Sequence, residues 1–153
     1  MADTAAVLAK FPVIVRQAVV WGDMDAYSHV NNVVYFRYFE NARLEYFRQC
    51  GWFKIEEETG IGPILGSTQA RFRRALTYPD NIAIAARAID VGEDRFTLEH
   101  VIVSEQQQAV VTEGSGVVVV YHHGDGRKAG MPAELRRRIA ELEATCSGSG
   151  FQS

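Results

Sequence analysis

The chain of 153 residues has few cysteines, no long apolar run and no signal-peptide pattern. It has two cysteines, Cys50 and Cys146, which are too few and too far apart for a disulfide framework or a zinc site. Its longest apolar run, 117–121, is far shorter than the roughly 20 residues of a membrane-spanning helix, and no signal-peptide pattern opens the chain. We therefore expect free thiols, a cytoplasmic location and no membrane partner.

Positive charge is not in excess either. Lys and Arg number 16 against 19 Asp and Glu, a formal net charge of -3 at pH 7. The broad basic field that usually accompanies nucleic-acid binding is therefore missing, and we expect no nucleic-acid partner. Thirteen of the 16 cations are arginines, whose planar guanidinium suits phosphate or carboxylate, so a local anion site stays compatible with the composition.

What is present fits one ordinary globular domain, with 47% apolar and 23% charged residues. Residues 1–10 are rich in small side chains, and residues 147–153 read Ser-Gly-Ser-Gly-Phe-Gln-Ser. We predict a flexible leader over 1–10, a single domain over 11–146 and a flexible tail over 147–153.

The clearest helical pattern covers residues 33–49. Its apolar side consists of Tyr35, Phe39, Ala42 and Tyr46. Asn31 or Asn32 is a natural N-cap, and Gly51 fits the end of the helix because glycine adopts the left-handed cap conformation without a Cβ clash.

Strand patterns lie on both sides of this helix, at 11–20 and then at about 69–73, 82–88, 96–102 and 109–121, and a short helix is predicted at 132–145. One strand, a long helix and four strands joined by short turns predict an α+β fold with an antiparallel five-stranded sheet and one central helix. One helix covers only one face, and Ala83 and Ala85 lie on the second phase of their strand. We therefore predict a homo-oligomer that buries the other face or an edge.

The densest polar segment, residues 23–32, directly precedes the long helix. A helix N-terminus presents unpaired N–H groups and partial positive charge, so it can stabilise an oxygen that becomes negative during acyl transfer. Asp23 and Asp25 lie in this segment, where a carboxylate can supply a base. The alternative is that both aspartates shape the loop, because Asp favours turns and helix starts.

Two stretches carry a family resemblance, Asp25-Ala-Tyr-Ser-His29-Val-Asn31-Asn32-Val-Val-Tyr35 and Phe72-Arg73-Arg74-Ala-Leu-Thr-Tyr78-Pro79-Asp80. They resemble the hotdog-fold acyl-CoA thioesterases, in particular the 4-hydroxybenzoyl-CoA thioesterase-like branch, over most of residues 11–133. The resemblance implies a sheet wrapped around the helix and hydrolysis of a small-molecule acyl-CoA thioester. It implies a homodimer or dimer of dimers, and no cofactor beyond the coenzyme A of the substrate.

The resemblance also implies roles for single residues. Asp25 matches the catalytic carboxylate, which acts as nucleophile on the thioester carbonyl or as general base for water. His29 matches the active-site histidine of the subgroup with the D-x-x-x-H-V-N-N motif and would activate or orient water. Backbone N–H groups near Asn31 and Asn32 would polarise the carbonyl, although both side chains also suit a helix cap.

Substrate-binding roles fall to Tyr27, Tyr35, Arg73 and Arg74. Tyr35 would line the acyl pocket or belong to the core. Arg73 and Arg74, together with Arg71, would meet the phosphates of coenzyme A or form a charged strand edge.

Three other polar features have simpler interpretations. Glu40 is a second carboxylate on the helix, from which other hotdog thioesterase branches take their catalytic acid; we rank it below Asp25 and predict an ion pair with Arg37 or Arg43 one turn away. His100 shares the strand phase of apolar residues, which predicts a buried, hydrogen-bonded histidine. The pattern His122-His123 with Asp125 is a weak metal signal, and we predict no metal site.

Fold alone does not establish function. Two alternatives to the thioesterase remain from the sequence: an acyl-thioester hydratase or dehydratase, and a non-catalytic acyl-CoA-binding module.

Overall fold

The computed structural model describes residues 3–146. The helices are α1 (Thr4–Leu8), α2 (Asn32–Gln49), α3 (Trp52–Thr59) and α4 (Ala133–Ala144), and a 3₁₀ turn spans Trp21–Asp23. The strands are β1 (Val13–Ala18), β2 (Ile61–Phe72), β3 (Asn81–Ile89), β4 (Arg95–Ser104), β5 (Ala109–His122) and β6 (Arg127–Lys128). A curled antiparallel sheet, a long central helix and a short C-terminal helix confirm the predicted α+β class. None of the helices in this part of the chain is long and apolar enough to cross a membrane.

The sheet has the order β1-β3-β4-β5-β2, and the two-residue β6 pairs with the end of β5. β5 lies between β4 and β2, and its residues Val118, Val119 and Val120 are buried. The apolar run predicted a central strand, and the sheet order confirms it.

The main core lies between α2 and the concave face of the sheet. From α2 it receives Tyr35, Tyr38, Phe39, Ala42, Tyr46 and Phe47. From β3 it receives Ile82, Ile84, Ala86 and Ala88. Burying each large apolar side chain stabilises the fold by roughly 1.5–3 kcal/mol.

Both ends of α2 follow the sequence prediction. The Asn31 side-chain oxygen accepts a hydrogen bond from the Val33 amide at 3.0 Å, so Asn31 rather than Asn32 is the N-cap. Gly51 has φ = 71°, a left-handed conformation that ends α2 and lets α3 begin at the next residue.

α3 was not predicted. Only Trp52 and Ile55 are buried in this eight-residue helix, so the sequence shows too few apolar repeats for a helical period. Trp52 nevertheless anchors it, because the indole Nε1 donates to the Ile61 carbonyl oxygen at 3.1 Å and the ring packs against Phe47 and Phe96.

β2 is longer than predicted. The period-2 pattern located it near residues 69–73, whereas it runs from Ile61 to Phe72 and pairs with β5 along its length. Pro63, two glycines and a bulge between Leu65 and Ser67 interrupt the pattern, and these are features of an edge strand. Residues 64–69 are all exposed.

The expected leader contains a helix. Asp3 accepts a hydrogen bond from the Ala6 amide and caps α1 within residues 1–10. Val7 and Leu8 pack against a second small core of Phe11, Ala85 and Val101 on the convex face of the sheet. Part of the face that we assigned to a partner subunit is therefore covered by the chain itself. The tail predicted at 147–153 lies outside the described residues.

Candidate active site

The polar segment between β1 and α2 is a turn closed by its own backbone. The Asn31 amide donates to the Asp23 carbonyl oxygen at 3.0 Å, and the Asp25 amide donates to the His29 carbonyl oxygen at 2.8 Å. Ser28 adopts the left-handed conformation with φ = 62°, which reverses the chain between the two sides of the turn. Asp25 and His29 consequently lie opposite each other, just before α2.

The two carboxylate oxygens of Asp25 differ in their environment. Oδ1 accepts hydrogen bonds from the Tyr27 amide at 2.8 Å and the His29 amide at 3.4 Å. Within residues 3–146, Oδ2 makes no hydrogen bond. One oxygen therefore shapes the turn, as the loop-forming interpretation predicted, while the other is available to a ligand.

Seven of the eight predicted site residues line one open cleft of about 320 Å³. The lining consists of Asp25, Tyr27, His29, Val30, Asn32, Tyr35, Phe72, Arg73, Arg74 and Ala75. Asn31 is the exception, because its side chain caps α2. The cleft joins the turn before α2 to the segment after β2, which lies more than 40 residues further along the sequence.

The start of α2 offers an unpaired amide to this cleft. The Val33 and Val34 amides donate to the side chain and the carbonyl oxygen of Asn31. The Asn32 amide has no acceptor in the part of the chain that the structure describes. The amide thus carries the partial positive charge of a helix N-terminus and is free to bind an anion or a polarised carbonyl oxygen.

Tyr35 belongs both to the core and to the cleft lining. Its side chain is only 2% exposed, and its hydroxyl oxygen accepts a hydrogen bond from the Leu76 amide at 3.0 Å. Burial raises the pKa of Tyr35, the hydrogen bond from Leu76 opposes that rise, and the negative charge of Asp25 adds to it.

The arginine pair closes the other end of the cleft. A hydrogen-bonded ion pair joins Arg73 to Glu113 at 2.9 Å, whereas Arg74 has no ion-pair partner among residues 3–146. Both guanidinium groups also line an adjoining groove of about 640 Å³. Arg71 lines neither space.

Glu40 lies in a different groove, of about 570 Å³, which α2 lines together with residues of β1 and β2. Its carboxylate is 3.8 Å from Arg37 and 4.0 Å from Arg43, which agrees with the predicted ion pairs. Burial lowers the pKa of Arg43, and the charge of Glu40 counteracts this. The structure therefore does not bring Glu40 into the cleft of Asp25.

The remaining histidines are not part of the cleft. His100 is buried, and its Nδ1 donates to the Ala85 carbonyl oxygen at 3.0 Å, as predicted for a core histidine. His122 contacts Asp125 at 3.6 Å, and His123 lies 3.9 Å from Glu56. Among the described residues, no group of three or more His, Cys, Asp or Glu side chains could hold a metal ion.

Sequence reasoning missed three residues in the lining of the cleft, Val30, Phe72 and Ala75. All three are apolar residues beside the residues of the motifs, and no chemical signal marks them. Val30 contributes through its backbone, since its amide donates to the Leu76 carbonyl oxygen at 2.9 Å.

Comparisons with known proteins place this geometry in a family. Residues 19–139 match the thioesterase-like superfamily. Among curated proteins, Protein THEM6 of Danio rerio is 29% identical over 92 residues, a match that covers 60% of this chain and 46% of that protein. The matched region thus spans less than half the length of this relative.

Solved structures agree with that match. A thioesterase from Thermus thermophilus, in complex with coenzyme A and Zn, is 30% identical with a TM-score of 0.76, and the match covers 88% of this chain and 97% of that one. The PA5185 protein of Pseudomonas aeruginosa, 23% identical with a TM-score of 0.78, shares the fold over 93% of this chain and 96% of its own.

The superfamily match begins just after β1 and continues into α4, so it includes the polar turn, α2 and both flanks of the cleft. The predicted hotdog fold is confirmed, and similar structures that are named thioesterases agree with the predicted enzyme class. The chain belongs to the thioesterase-like superfamily.

Proposed function

We propose that the protein hydrolyses an acyl-coenzyme A thioester to a free acid and coenzyme A. The single observation that carries the proposal is the cleft in which Asp25, His29, the start of α2 and the pair Arg73-Arg74 meet. The cleft combines a carboxylate and an imidazole for acid–base work, an amide for a developing oxyanion and guanidinium groups for phosphate. The coenzyme A bound to the Thermus relative supports this substrate class.

In the proposed mechanism the thioester carbonyl oxygen accepts a hydrogen bond from the Asn32 amide. Asp25 then reacts in one of two ways. As a nucleophile, its carboxylate attacks the carbonyl carbon, the C–S bond breaks, coenzyme A leaves as the thiolate, and water hydrolyses the resulting anhydride. As a general base, it accepts a proton from the water that attacks the same carbon.

His29 orients or activates the water in either route. Its position opposite Asp25 in the closed turn supports this role. Both routes end in a carboxylic acid and a thiol, and the protein contributes only side chains, a backbone amide and the helix dipole. The proposed reaction therefore uses neither a metal ion nor a redox cofactor.

A homodimer is part of the proposal. β2 is an edge strand of 12 residues whose outer side pairs with no other strand among residues 3–146, and long exposed edges usually pair or are shielded. Ile64 is 42% exposed and Leu65 is 38% exposed on this strand, and Val33 at the start of α2 is 75% exposed. A second copy that pairs along β2 would cover these apolar side chains, and two dimers could then associate.

The decisive experiment follows thiol release with a disulfide reagent from aryl, short-chain and long-chain acyl-CoA thioesters. Asp25→Asn keeps an oxygen that accepts the Tyr27 amide but removes the charge, so we expect kcat to fall about 10²- to 10⁴-fold. Asp23→Asn is the matched control. Asp23 lines the groove of Glu40 and not the cleft of Asp25, so we expect the order of magnitude of kcat to be unchanged.

Other outcomes would contradict the proposal. A folded wild-type protein that releases no thiol from any substrate would refute it. A change in enoyl absorbance without thiol release would indicate the hydratase, and tight acyl-CoA binding without turnover would indicate the binding module.

A further inference from the structure

We propose that Tyr35 is a positioning residue that holds the arginine pair Arg73-Arg74 at a fixed distance from the N-terminus of α2 and thereby selects full coenzyme A thioesters over truncated ones. This inference rests on the function proposed above. Its structural basis is the way in which Tyr35 contacts both flanks of the arginine pair.

Phe72, the residue before the arginine pair, packs against the ring of Tyr35. The ring centroids of Tyr35 and Phe72 are 5.0 Å apart with an interplanar angle of 79°, an edge-to-face contact. Leu76, two residues after the pair, contacts the hydroxyl, since its amide donates to the Tyr35 oxygen at 3.0 Å. One side chain on α2 therefore holds the segment 72–76 at both ends.

Leu76 also connects this segment to the turn that carries Asp25. Its side chain is fully buried, and its carbonyl oxygen accepts a hydrogen bond from the Val30 amide at 2.9 Å. The peptide groups of one buried residue are thus bonded to α2 on one side and to the catalytic turn on the other.

The arginine pair has little other support from regular structure. β2 ends at Phe72, and residues 73–80 form neither helix nor strand. The Arg73 and Arg74 amides share the Val111 carbonyl oxygen at 2.9 and 3.1 Å, which fixes the near end of the segment. The hydroxyl of Tyr35 fixes the far end, and its loss would leave the buried Leu76 amide without an acceptor.

This arrangement sets the spacing of two recognition elements. The thioester carbonyl lies at the Asn32 amide and the phosphates lie at the arginines, so the pantetheine arm has to span the distance between them. Binding energy at the phosphates aligns the carbonyl only if that distance is constant. A substrate that lacks the nucleotide does not contact the arginines, so its binding does not depend on that distance.

The test compares two thioesters of one acyl group, the acyl-CoA and the acyl-N-acetylcysteamine. Tyr35→Phe removes the hydroxyl and keeps the ring. We expect KM for the acyl-CoA to rise about tenfold, and we expect kcat/KM to fall about tenfold more for the acyl-CoA than for the truncated thioester.

Tyr46→Phe is the matched control. It removes a buried hydroxyl from the same helix, but Tyr46 bonds to Glu143, and neither residue lines the cleft. We expect this variant to leave the ratio of the two kcat/KM values unchanged.

Two further variants keep the test decisive. Phe72→Leu weakens the ring contact without removing a hydrogen bond and should shift the ratio in the same direction, which covers the case of a Tyr35→Phe protein that does not fold. In the background Arg73→Gln/Arg74→Gln, Tyr35→Phe should not raise KM further, because the arginines through which it acts are absent.

Equal losses for both thioesters, or an unchanged ratio in both Tyr35→Phe and Phe72→Leu, would overturn the inference. Absence of hydrolysis of either thioester by the wild-type protein would instead refute the proposed function, so the two failures are distinguishable.

Discussion

The Tyr46 hydroxyl on α2 donates a 2.6 Å hydrogen bond to the Glu143 carboxylate on α4. The same carboxylate oxygen accepts the Ala88 amide at 2.9 Å. Ala88 lies just past the end of the β1–β3 ladder, which pairs Val13 with Ala86, so β1 does not supply an acceptor there. Burial, followed by the negative charge of Glu143, raises the pKa of Tyr46. Glu143 thereby ties α4 to both α2 and the sheet.

Glu143→Ala should lower the free energy of unfolding by about 2–4 kcal/mol, because it leaves a buried hydroxyl and a buried amide without their acceptor. Urea titration followed by circular dichroism measures the change. Glu141→Ala is the control on the same helix. Glu141 is exposed and forms an ion pair with Arg137, so Glu141→Ala should lower the free energy of unfolding by about 0.5 kcal/mol or less. Equal losses in both variants would contradict the role of Glu143.

Gly114→Ala should also destabilise the fold. A Cβ atom at this position of β5 would overlap two ring atoms of Phe39 and lie 2.7 Å from the Gln69 carbonyl oxygen. Because both neighbours are packed, we expect a loss of about 1–3 kcal/mol. Gly22→Ala is the matched control, since a Cβ atom there meets nothing within 4 Å. A Gly114→Ala protein as stable as the control would show that α2 does not pack against β5 this closely.

Acid should destabilise the protein through His100. Burial, together with the charge of Arg43, lowers the pKa of His100 to about 4, although the hydrogen bond to Ala85 opposes the shift. The ordinary pKa of histidine is about 6.5, so between these values the unfolded chain binds the extra proton. The contribution of neutral His100 to the free energy of unfolding is complete above pH 6.5 and is lost as the pH falls towards 4.

From pH 7 to pH 5 we expect this residue to account for about 2 kcal/mol of the loss in unfolding free energy. Urea titrations at both pH values, on the wild type and on His100→Gln, measure it. The variant should have the shallower pH dependence whatever its stability at pH 7. Identical pH dependences would mean that His100 accepts a proton in the folded protein as readily as in the unfolded chain.

The wild-type protein should be a dimer by light scattering, and Ile64→Lys together with Leu65→Lys should shift it towards the monomer. Two desolvated lysines on the outer edge of β2 oppose pairing with a second copy. Phe53→Lys is the control, because Phe53 is 45% exposed but lies on α3. A monomeric wild type, or the same shift for Phe53→Lys, would contradict pairing through β2.

The sequence predicts those elements whose signals are local. α2 has a continuous apolar side, an Asn31 cap and a Gly51 stop, so its bounds are predicted to within one residue. The outer edge of β2 does not contact the core, so the strand tolerates exposed polar residues, a proline and a bulge. These interrupt the alternating pattern, and the sequence therefore predicts only the end of the strand. α1 and α3 bury too few residues to show a period, and only their tertiary contacts explain them.

The same distinction holds for the candidate site. Asp25, His29 and Asn32 lie within eight consecutive residues, so a motif can display them together. Their proximity to Arg73 and Arg74 is a property of the folded sheet. The bond between the Tyr35 hydroxyl and the Leu76 amide spans 41 positions and uses a backbone donor, which no side-chain pattern encodes.

The carboxylate of Asp25 has one oxygen engaged by the Tyr27 and His29 amides and one oxygen without a partner. The side chain at position 25 therefore has two tasks, to accept the amides of the turn and to present a charged oxygen to a ligand. Both tasks require a carboxylate on a side chain of the length of aspartate. Glutamate would keep the charge but move both oxygens outward by one methylene, and serine would retain an acceptor without the charge. Tolerance to substitution should be narrower here than at a residue that only shapes a loop or only faces a ligand.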